Sequence, residues 1–362
     1  MIEPSLRATL NRIRKDYGII PTIKEIFDMW NQPHRYYHNV DNHLVPMLNS
    51  IISGYVFNDV EDNGKKIQPN TDNFSQLIIA TLFHDIIYDP KSDTNESDSV
   101  DFMLQNVKET SQFFGIANLI MATKNHEISN DERLEDYYEL HRTFIGLDLE
   151  ILTSDFNGLL EWEKQIQKEY EFVNWKTYKE KRIEILSNLI KKSKSLPIDI
   201  NINGLKNLIS YIENHNTNIA IYPGSFNPFH KGHLDILNKA EKIFDKVIIA
   251  KGRNDSKNVD EIEFEDGLYD LKQLFPSNEI IAYEGLLTDL IETQEGNITL
   301  IRGLRNGYDL DAENTLMAYM KDLLPSLQII YLPCDNKYQH ISSSAIRKLR
   351  KYGSDKIEKY LP

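Results

Sequence analysis

The chain has 362 residues, 41 Lys and Arg against 55 Asp and Glu, and a formal charge of -14. That length exceeds one ordinary core and predicts two domains, while the acidic balance argues against a general phosphate-backbone binder, which needs clustered Lys and Arg. No run of about 18 apolar residues is present to span a bilayer, the opening MIEPSLRATLNRIRKDYG lacks the apolar segment of a signal peptide, and Cys334 is the single cysteine. The expectation is a cytoplasmic protein with no membrane or nucleic-acid partner, no internal disulfide, and any metal carried on His, Asp or Glu.

Residues 1–213 read as helical, with apolar positions recurring at three and four; Ile183, Leu186, Leu189 and Ile190 form one such stripe. HRYYHNVDNH supplies His34, His38 and His43, and the polar stretch 58–73 reads as a loop. QLIIATLFHDIIYDP, from Gln76 to Pro90, is apolar nearly all round, as expected of a helix inside a domain. Its interruption is His84-Asp85. A buried carboxylate beside an imidazole is costly unless paired or metal-bound, and for an isolated pair a structural hydrogen bond is the alternative. ATKNHE adds His126 and FIGLDLEIL adds Asp148, completing a set of hard-to-borderline donors suited to Mn, Fe, Mg or Zn.

Together with RYYHN, FHDIIYDP and ATKNH, this pattern makes residues 5–213 resemble the predicted metal-dependent HD-superfamily phosphohydrolases. The resemblance implies an all-α HD-type domain over 1–213 with His38, His84, Asp85 and Asp148 as ligands of a divalent metal that activates water for attack on phosphorus. Glu96, Lys124 and His126 are further candidates for a second metal, phosphate contact or proton transfer. His34 and His43 read as ordinary polar positions. Gly146 stands where the family often has a second acidic residue, leaving Asp148 alone, which suffices for one metal.

The polar stretch ENHNTN suggests a linker at 214–218. From Ile219 the runs IAIY, KVIIAK, EIIAY, ITLIRG and LQIIYL alternate with helix-length segments, the pattern of a parallel sheet with crossover helices over 219–362. YPGSFNPFHKGHLDIL places Gly224, Ser225, Phe226, His230, Gly232 and His233 between the first strand and a helix N-terminus. Open α/β sheets bind ligands at that junction, and backbone N–H groups there favour phosphate. The two histidines can donate to a phosphate and to the charge that builds during its transfer, with Gly232 allowing close backbone approach; helix capping by loop polar groups is the alternative. IRGLR ends a strand with Arg302, Gly303 and Arg305, two planar cations suited to phosphate oxygens. ISSSAIRKL puts Ser342, Ser343 and Ser344 at a helix start with Arg347 one turn on, either a phosphate cradle or a plain serine cap.

In this order the three segments resemble the H-x-G-H/T-x-G-H nucleotidyltransferases, most nearly the phosphopantetheine adenylyltransferases, across the second domain. The resemblance implies a Rossmann-like fold in which Gly224, Ser225, Phe226, Arg302, Gly303, Arg305, Glu313, Ser342, Ser343, Ser344 and Arg347 bind ATP with Mg2+. His230, His233 and Lys257 would be catalytic. The implied reaction is in-line attack of an acceptor phosphate on the α-phosphorus with loss of pyrophosphate. 4'-Phosphopantetheine, giving dephospho-CoA, is the first acceptor; nicotinamide mononucleotide is the alternative. A different reading makes one domain a catalytically inactive nucleotide-sensing or assembly module. The family also implies a homo-oligomer, unless the fused first domain blocks it. His230 in place of the common Thr, Asn227 in place of Asp, the segment NVDEIEFEDG after Lys257, and Thr315 and Met320 in place of Gln and Asn bear on the acceptor rather than on adenylyl transfer.

Overall fold

Apolar residues three and four apart dominate the first two hundred positions, and there the chain is helical. The computed structural model describes residues 3–54, 61–62, 65–66, 71–108, 112–127, 138–253, 261–305, 307–352 and 355–362. It divides into two units, Met1–Glu169 with Arg182–Ile212, and Tyr170–Lys181 with Glu213–Pro362.

The first unit is built from α1 (Pro4–Asp16), α2 (Ile23–Trp30), α3 (Val45–Ile52), α4 (Thr71–Phe83), α5 (Asn95–Asn106), α6 (Phe113–Ala122), α7 (Tyr138–Asp148), α8 (Phe156–Glu169), most of α9 (Trp175–Lys192) and α10 (Ile202–Asn214). α4 begins inside the stretch expected to be a loop; most of the rest of that stretch lies outside the described residues. The apolar faces close on Leu10, Trp30, Leu48, Leu77, Phe83 and Phe144, all inaccessible to solvent. Trp30 meets the rule that a buried indole finds an acceptor, donating from Nε1 to the Leu82 carbonyl at 3.0 Å. A single π-helical turn, Val40–Leu44, precedes α3 and is capped by the Asn39 side chain, which accepts the N–H groups of Asp41 and Asn42.

In the second unit the five expected strands form one parallel sheet, fitting a Rossmann-like nucleotidyltransferase domain. They are β1 (Asn218–Gly224), β2 (Lys246–Gly252), β3 (Ile280–Tyr283), β4 (Asn297–Leu304) and β5 (Gln328–Pro333), in the order β3-β2-β1-β4-β5. β1 pairs with β2 from Ile219↔Lys246 to Gly224↔Lys251 and with β4 from Asn218↔Asn297 to Ile221↔Leu300. The intervening helices are α11 (Lys231–Ala240), α12 (Glu261–Leu274), α13 (Leu287–Glu292) and α14 (Gly307–Leu323), with α15 (Ser343–Arg350) last. α11 lays Ile236, Leu237 and Ala240 on Ala220, Val247 and Ile301 of the sheet.

Residues 170–181, read above as part of the first domain, group with this second unit. The reason is Lys246 at the start of β2, only 2% exposed. Its ammonium pairs with Glu279 at 2.8 Å and donates to the carbonyls of Glu171 and, at 2.7 Å, Val173. Glu171 also accepts the Val247 N–H at 3.0 Å. A charge at a buried strand end is tolerable only with such partners, and the 170–181 segment supplies them. Among the described residues no helix is long and apolar enough to cross a membrane.

Truncating a packed leucine costs its transfer free energy plus a cavity term, about 2–5 kcal/mol. Leu237 is 1% exposed between α11 and the sheet, so Leu237→Ala is expected to lose that much, read as a lower urea midpoint of the second unit. A loss well under 1 kcal/mol would mean that this face is not the core.

Candidate functional site

In the second unit the site starts from a helix cap. His230 precedes α11, and its Nδ1 accepts the N–H groups of Gly232 (3.1 Å) and His233 (3.3 Å). His233 Nδ1 in turn accepts the N–H of His230 at 3.3 Å, a reciprocal capping box made of two imidazoles. The rings stack with centroids 3.6 Å apart. Because each Nδ1 is an acceptor, the proton of each neutral ring sits on Nε2, which remains a donor. A Cβ at Gly232 would lie 3.0 Å from His230 Cε1, so the room this glycine makes goes first to the imidazole rather than to a ligand.

The loop before the cap is equally constrained. Phe226 has φ of 44°, a left-handed conformation uncommon for a residue with a side chain. Its ring packs on Tyr222, Phe229 and His233 at centroid distances of 5.2, 5.3 and 5.1 Å. A Cβ on Gly224 would fall 2.7 Å from that ring, so glycine is required where β1 turns into the loop.

Residues far away in sequence are tied to the same loop. Ser343 Oγ donates to the Pro228 carbonyl at 3.0 Å and the Arg347 guanidinium donates to the Asn227 carbonyl. Ser342 caps α15 by accepting the Ala345 N–H at 3.2 Å. From the end of β4, Arg302 makes a two-point pair with Glu313 (2.6 and 2.5 Å), and Arg305 makes one with Asp309 (2.9 and 3.0 Å). These carboxylates fix the guanidinium planes before any ligand arrives.

The result is one cleft of about 430 Å³. It is lined by Gly224, Ser225, Phe226, His230, His233, Arg302, Gly303, Arg305, Glu313, Ser342, Ser343, Ser344 and Arg347. Every residue the sequence assigned to this site is there except Lys257, which lies outside the described residues. Asp309 and Cys334 also line it and were not anticipated. Burial pushes the Cys334 thiol up to about 11, so it lines the wall as a neutral group. Burial and the Arg305 charge lower the His230 pKa to about 4; burial, His230 and Arg305 hold His233 well below its ordinary value. Both rings are therefore neutral near pH 7 and act as hydrogen-bond donors, not cations.

In the first unit the polar centre lies among apolar helices. His84 follows α4, and its Nδ1 faces the Thr81 carbonyl at 3.0 Å, which fixes the tautomer and leaves the Nε2 lone pair free. His43, on the π-helical turn, brings its Nε2 to 3.1 Å from His84 Nε2 and 3.1 Å from Asp148 Oδ1. Asp85 lies 3.4 Å from His84 Nε2 and 3.9 Å from His43 Nε2. Ligand atoms of His43, His84 and Asp85 all lie within 4.8 Å of one another. Two imidazole nitrogens facing each other between carboxylates form a donor set that fits a divalent cation. The other oxygen of Asp148 meets His126 Nε2 at 3.0 Å. Burial raises the Asp148 pKa, but its bonds to His126 and His43 outweigh that and hold it well below the carboxylate range.

His38, read as a ligand, is placed differently. Its Nδ1 lies 2.6 Å from Glu169 Oε2, and its ring stacks on Tyr88 at 4.5 Å. Glu169 is fully buried; Oε1 accepts the N–H groups of Tyr36, Tyr37 and His38, and Oε2 the Tyr88 hydroxyl. Burial works against both charges, but the pairing prevails, lowering the Glu169 pKa to about 2 and raising that of His38. His43 thus takes the place expected of His38, and Glu169 was missed altogether. Of the remaining candidates, Lys124 donates to the Asp93 carbonyl at 2.6 Å, His34 bonds the Tyr88 carbonyl at 2.8 Å, and the charge of Glu96 acts on His126.

Residues 221–349 match the cytidylyltransferase-like family model. The chain is 39% identical over 137 residues to a phosphopantetheine adenylyltransferase of Mycoplasma capricolum, covering 97% of that protein and 37% of this chain. Those of Buchnera aphidicola and Porphyromonas gingivalis are each 38% identical, over 147 and 149 residues, covering 88% and 94% of those proteins and 40% of this chain. The HD-type reading of residues 1–213 has no counterpart in the matched family region, which begins at residue 221.

The depressed His230 pKa predicts an acid sensitivity. Unfolding returns His230 from about 4 to its ordinary 6.5, so the unfolded chain binds the proton more readily. The stability in question is complete above 6.5 and is lost as pH falls through about 4. His230→Asn keeps a capping side chain that does not titrate. The unfolding midpoint of the second unit should therefore fall less steeply across this window in the variant; parallel curves would locate the acid loss elsewhere.

Proposed function

The chain belongs to the phosphopantetheine adenylyltransferase family, and from that premise we propose that its second unit transfers the adenylyl group of ATP to 4'-phosphopantetheine, giving dephospho-CoA and pyrophosphate. The observation that carries the reading is the meeting of the His230–His233 cap, the Arg302–Arg305 strand end and the Ser342–Ser344 helix start in one cleft. A phosphate oxygen of the acceptor attacks the α-phosphorus, the bond to the β-phosphate oxygen breaks, and the electron pair leaves with pyrophosphate. The two Nε2–H groups donate to oxygens on which charge accumulates. Such preorganised neutral donors gain strength as that charge grows. The α15 N-terminus and its serine hydroxyls hold the departing phosphates, and Arg302 and Arg305, already oriented, complete the electrostatic frame. Mg2+ accompanying ATP supplies further neutralisation of the phosphates.

His233→Ala removes one donor and one half of the cap and is expected to lower pyrophosphate release from ATP plus 4'-phosphopantetheine roughly a hundredfold or more. Release with nicotinamide mononucleotide and not with 4'-phosphopantetheine would replace the acceptor; release with neither would overturn adenylyl transfer.

For the first unit we propose a divalent-metal phosphohydrolase site. Its support is the convergence of His43, His84, Asp85 and Asp148 from three separate segments. These residues would hold the ion, which supplies an activated water when bound. Beside them His38, oriented by Glu169, whose charge raises its pKa, would give a proton to a leaving oxygen. Metal analysis of the full chain tests the ligand set. His43→Ala and Asp85→Ala should strip the ion, whereas His38→Ala should retain it and lose hydrolysis; an ion lost with His38 and kept without His43 would reverse this assignment.

A further inference from the structure

The second unit holds another cavity, of about 490 Å³, which shares Ser225, Ser344 and Arg347 with the cleft already described. Its remaining wall includes Lys251, Lys348 and Lys351, with Phe264 and one carboxylate, Glu263, which accepts the Asn227 amide at 2.8 Å. Among the described residues, four cationic side chains against one carboxylate is the reverse of the balance in a chain of charge -14, so this concentration needs a reason. Exposed lysines alone would only be a solvated face. Lys251 is different: it is the penultimate residue of β2 and is 2% exposed. Its ammonium is met by the Ser225 carbonyl at 3.0 Å and the Phe264 ring at 5.2 Å, neither of which neutralises it. A Cβ on Gly267 would come within 2.9 Å of Lys251 Nζ, so α12 leaves room for the charge. Burial lowers the Lys251 pKa although Glu263 and Asp270 pull the other way, as expected of an ammonium whose hydration has not been fully replaced.

We infer that this cavity is a second anion site, taking a diphosphate-class group beside the nucleotide cleft, with Lys251 as its buried anchor and Arg347, Lys348 and Lys351 as its rim. The ligand class rests on the adenylyl-transfer reading, in which diphosphate is the leaving group; the site itself rests on the cations. An anion moving past Ser344 and Arg347 exchanges one set of charge-assisted bonds for another, and so leaves the cleft without crossing an uncompensated stretch.

The test is calorimetric titration of the full chain with inorganic diphosphate while an α,β-methylene ATP analogue saturates the cleft. Diphosphate should still bind, one per chain. Lys251→Met should weaken that binding about tenfold or more, as loss of a charged hydrogen bond does, without changing the affinity for the analogue. Lys351→Glu, an exposed change that does not threaten folding, should weaken it in the same direction. The inference is overturned if the analogue excludes diphosphate, or if both variants bind it as tightly as the parent. Failure of the analogue itself to bind would instead remove the nucleotide reading of the cleft. The second site would then stand or fall on diphosphate alone, by comparing the parent with Lys351→Glu.

Discussion

The parallel pairing of β1 with β4 is the constraint on which the second unit depends. At that pair the strand order reverses, so the connection after β1 leaves toward β2 and the connection after β4 leaves toward β5. A crevice must open beyond the C-terminal ends of the two strands. Gly224 stands at one lip and Arg302 to Leu304 at the other. Chemistry from residues about 120 apart converges there because the sheet leaves backbone N–H groups and strand-end side chains no other common outlet. The loop between β1 and α11 is then fixed from both sides, by the aromatic packing of Phe226 and by bonds from Ser343 and Arg347 to its carbonyls.

Electrostatics divide the labour within that crevice. The imidazoles are neutral because they are buried, close to each other and close to Arg305. The guanidiniums are each held by a carboxylate of their own. Neutral donors cost little to bury, while charges are buried only with partners. On the proposed reading, fixed carboxylate partners also keep the field from being so positive that a triphosphate is held too firmly in its ground state, which would not accelerate transfer.

Much of this was legible in the sequence. Five β-branched runs separated by helix-length segments predict the strands and their parallel sense, and the junction after β1 is marked by Gly224, two prolines and two histidines. What could not be read comes from geometry outside a regular period. His38 and His43 are the same residue type five positions apart, and which one faces the donor cluster is decided by the turn Val40–Leu44. That turn is π-helical, with a wider repeat than the 3.6 residues on which pattern reading rests. Glu169 is 131 residues from His38 on an otherwise ordinary amphipathic helix, so nothing local marks it. The 170–181 segment left one signal: a lysine opening the strand KVIIAK, a cation directly ahead of the apolar run Val247–Ala250, where a buried charge needs partners from elsewhere.

The two units solve opposite problems with one repertoire. In the first, carboxylates converge on two facing imidazoles, and the Thr81 carbonyl fixes the tautomer of His84 from behind so that its Nε2 carries a lone pair. On the proposed reading that set holds a cation. In the second, backbone N–H groups occupy the Nδ1 lone pairs of His230 and His233, so the same residue type presents protons instead and attracts an anion. Histidine's role is thus decided less by its position in a motif than by which ring nitrogen the backbone engages. An Nδ1 facing a carbonyl makes a ligand, and an Nδ1 facing an N–H makes a donor. On this physical ground the proposed cation site and the proposed phosphate-binding clefts are compatible with a chain of net negative charge, since each is set by bonds within a few ångströms rather than by the long-range field, which salt screens beyond about 8 Å.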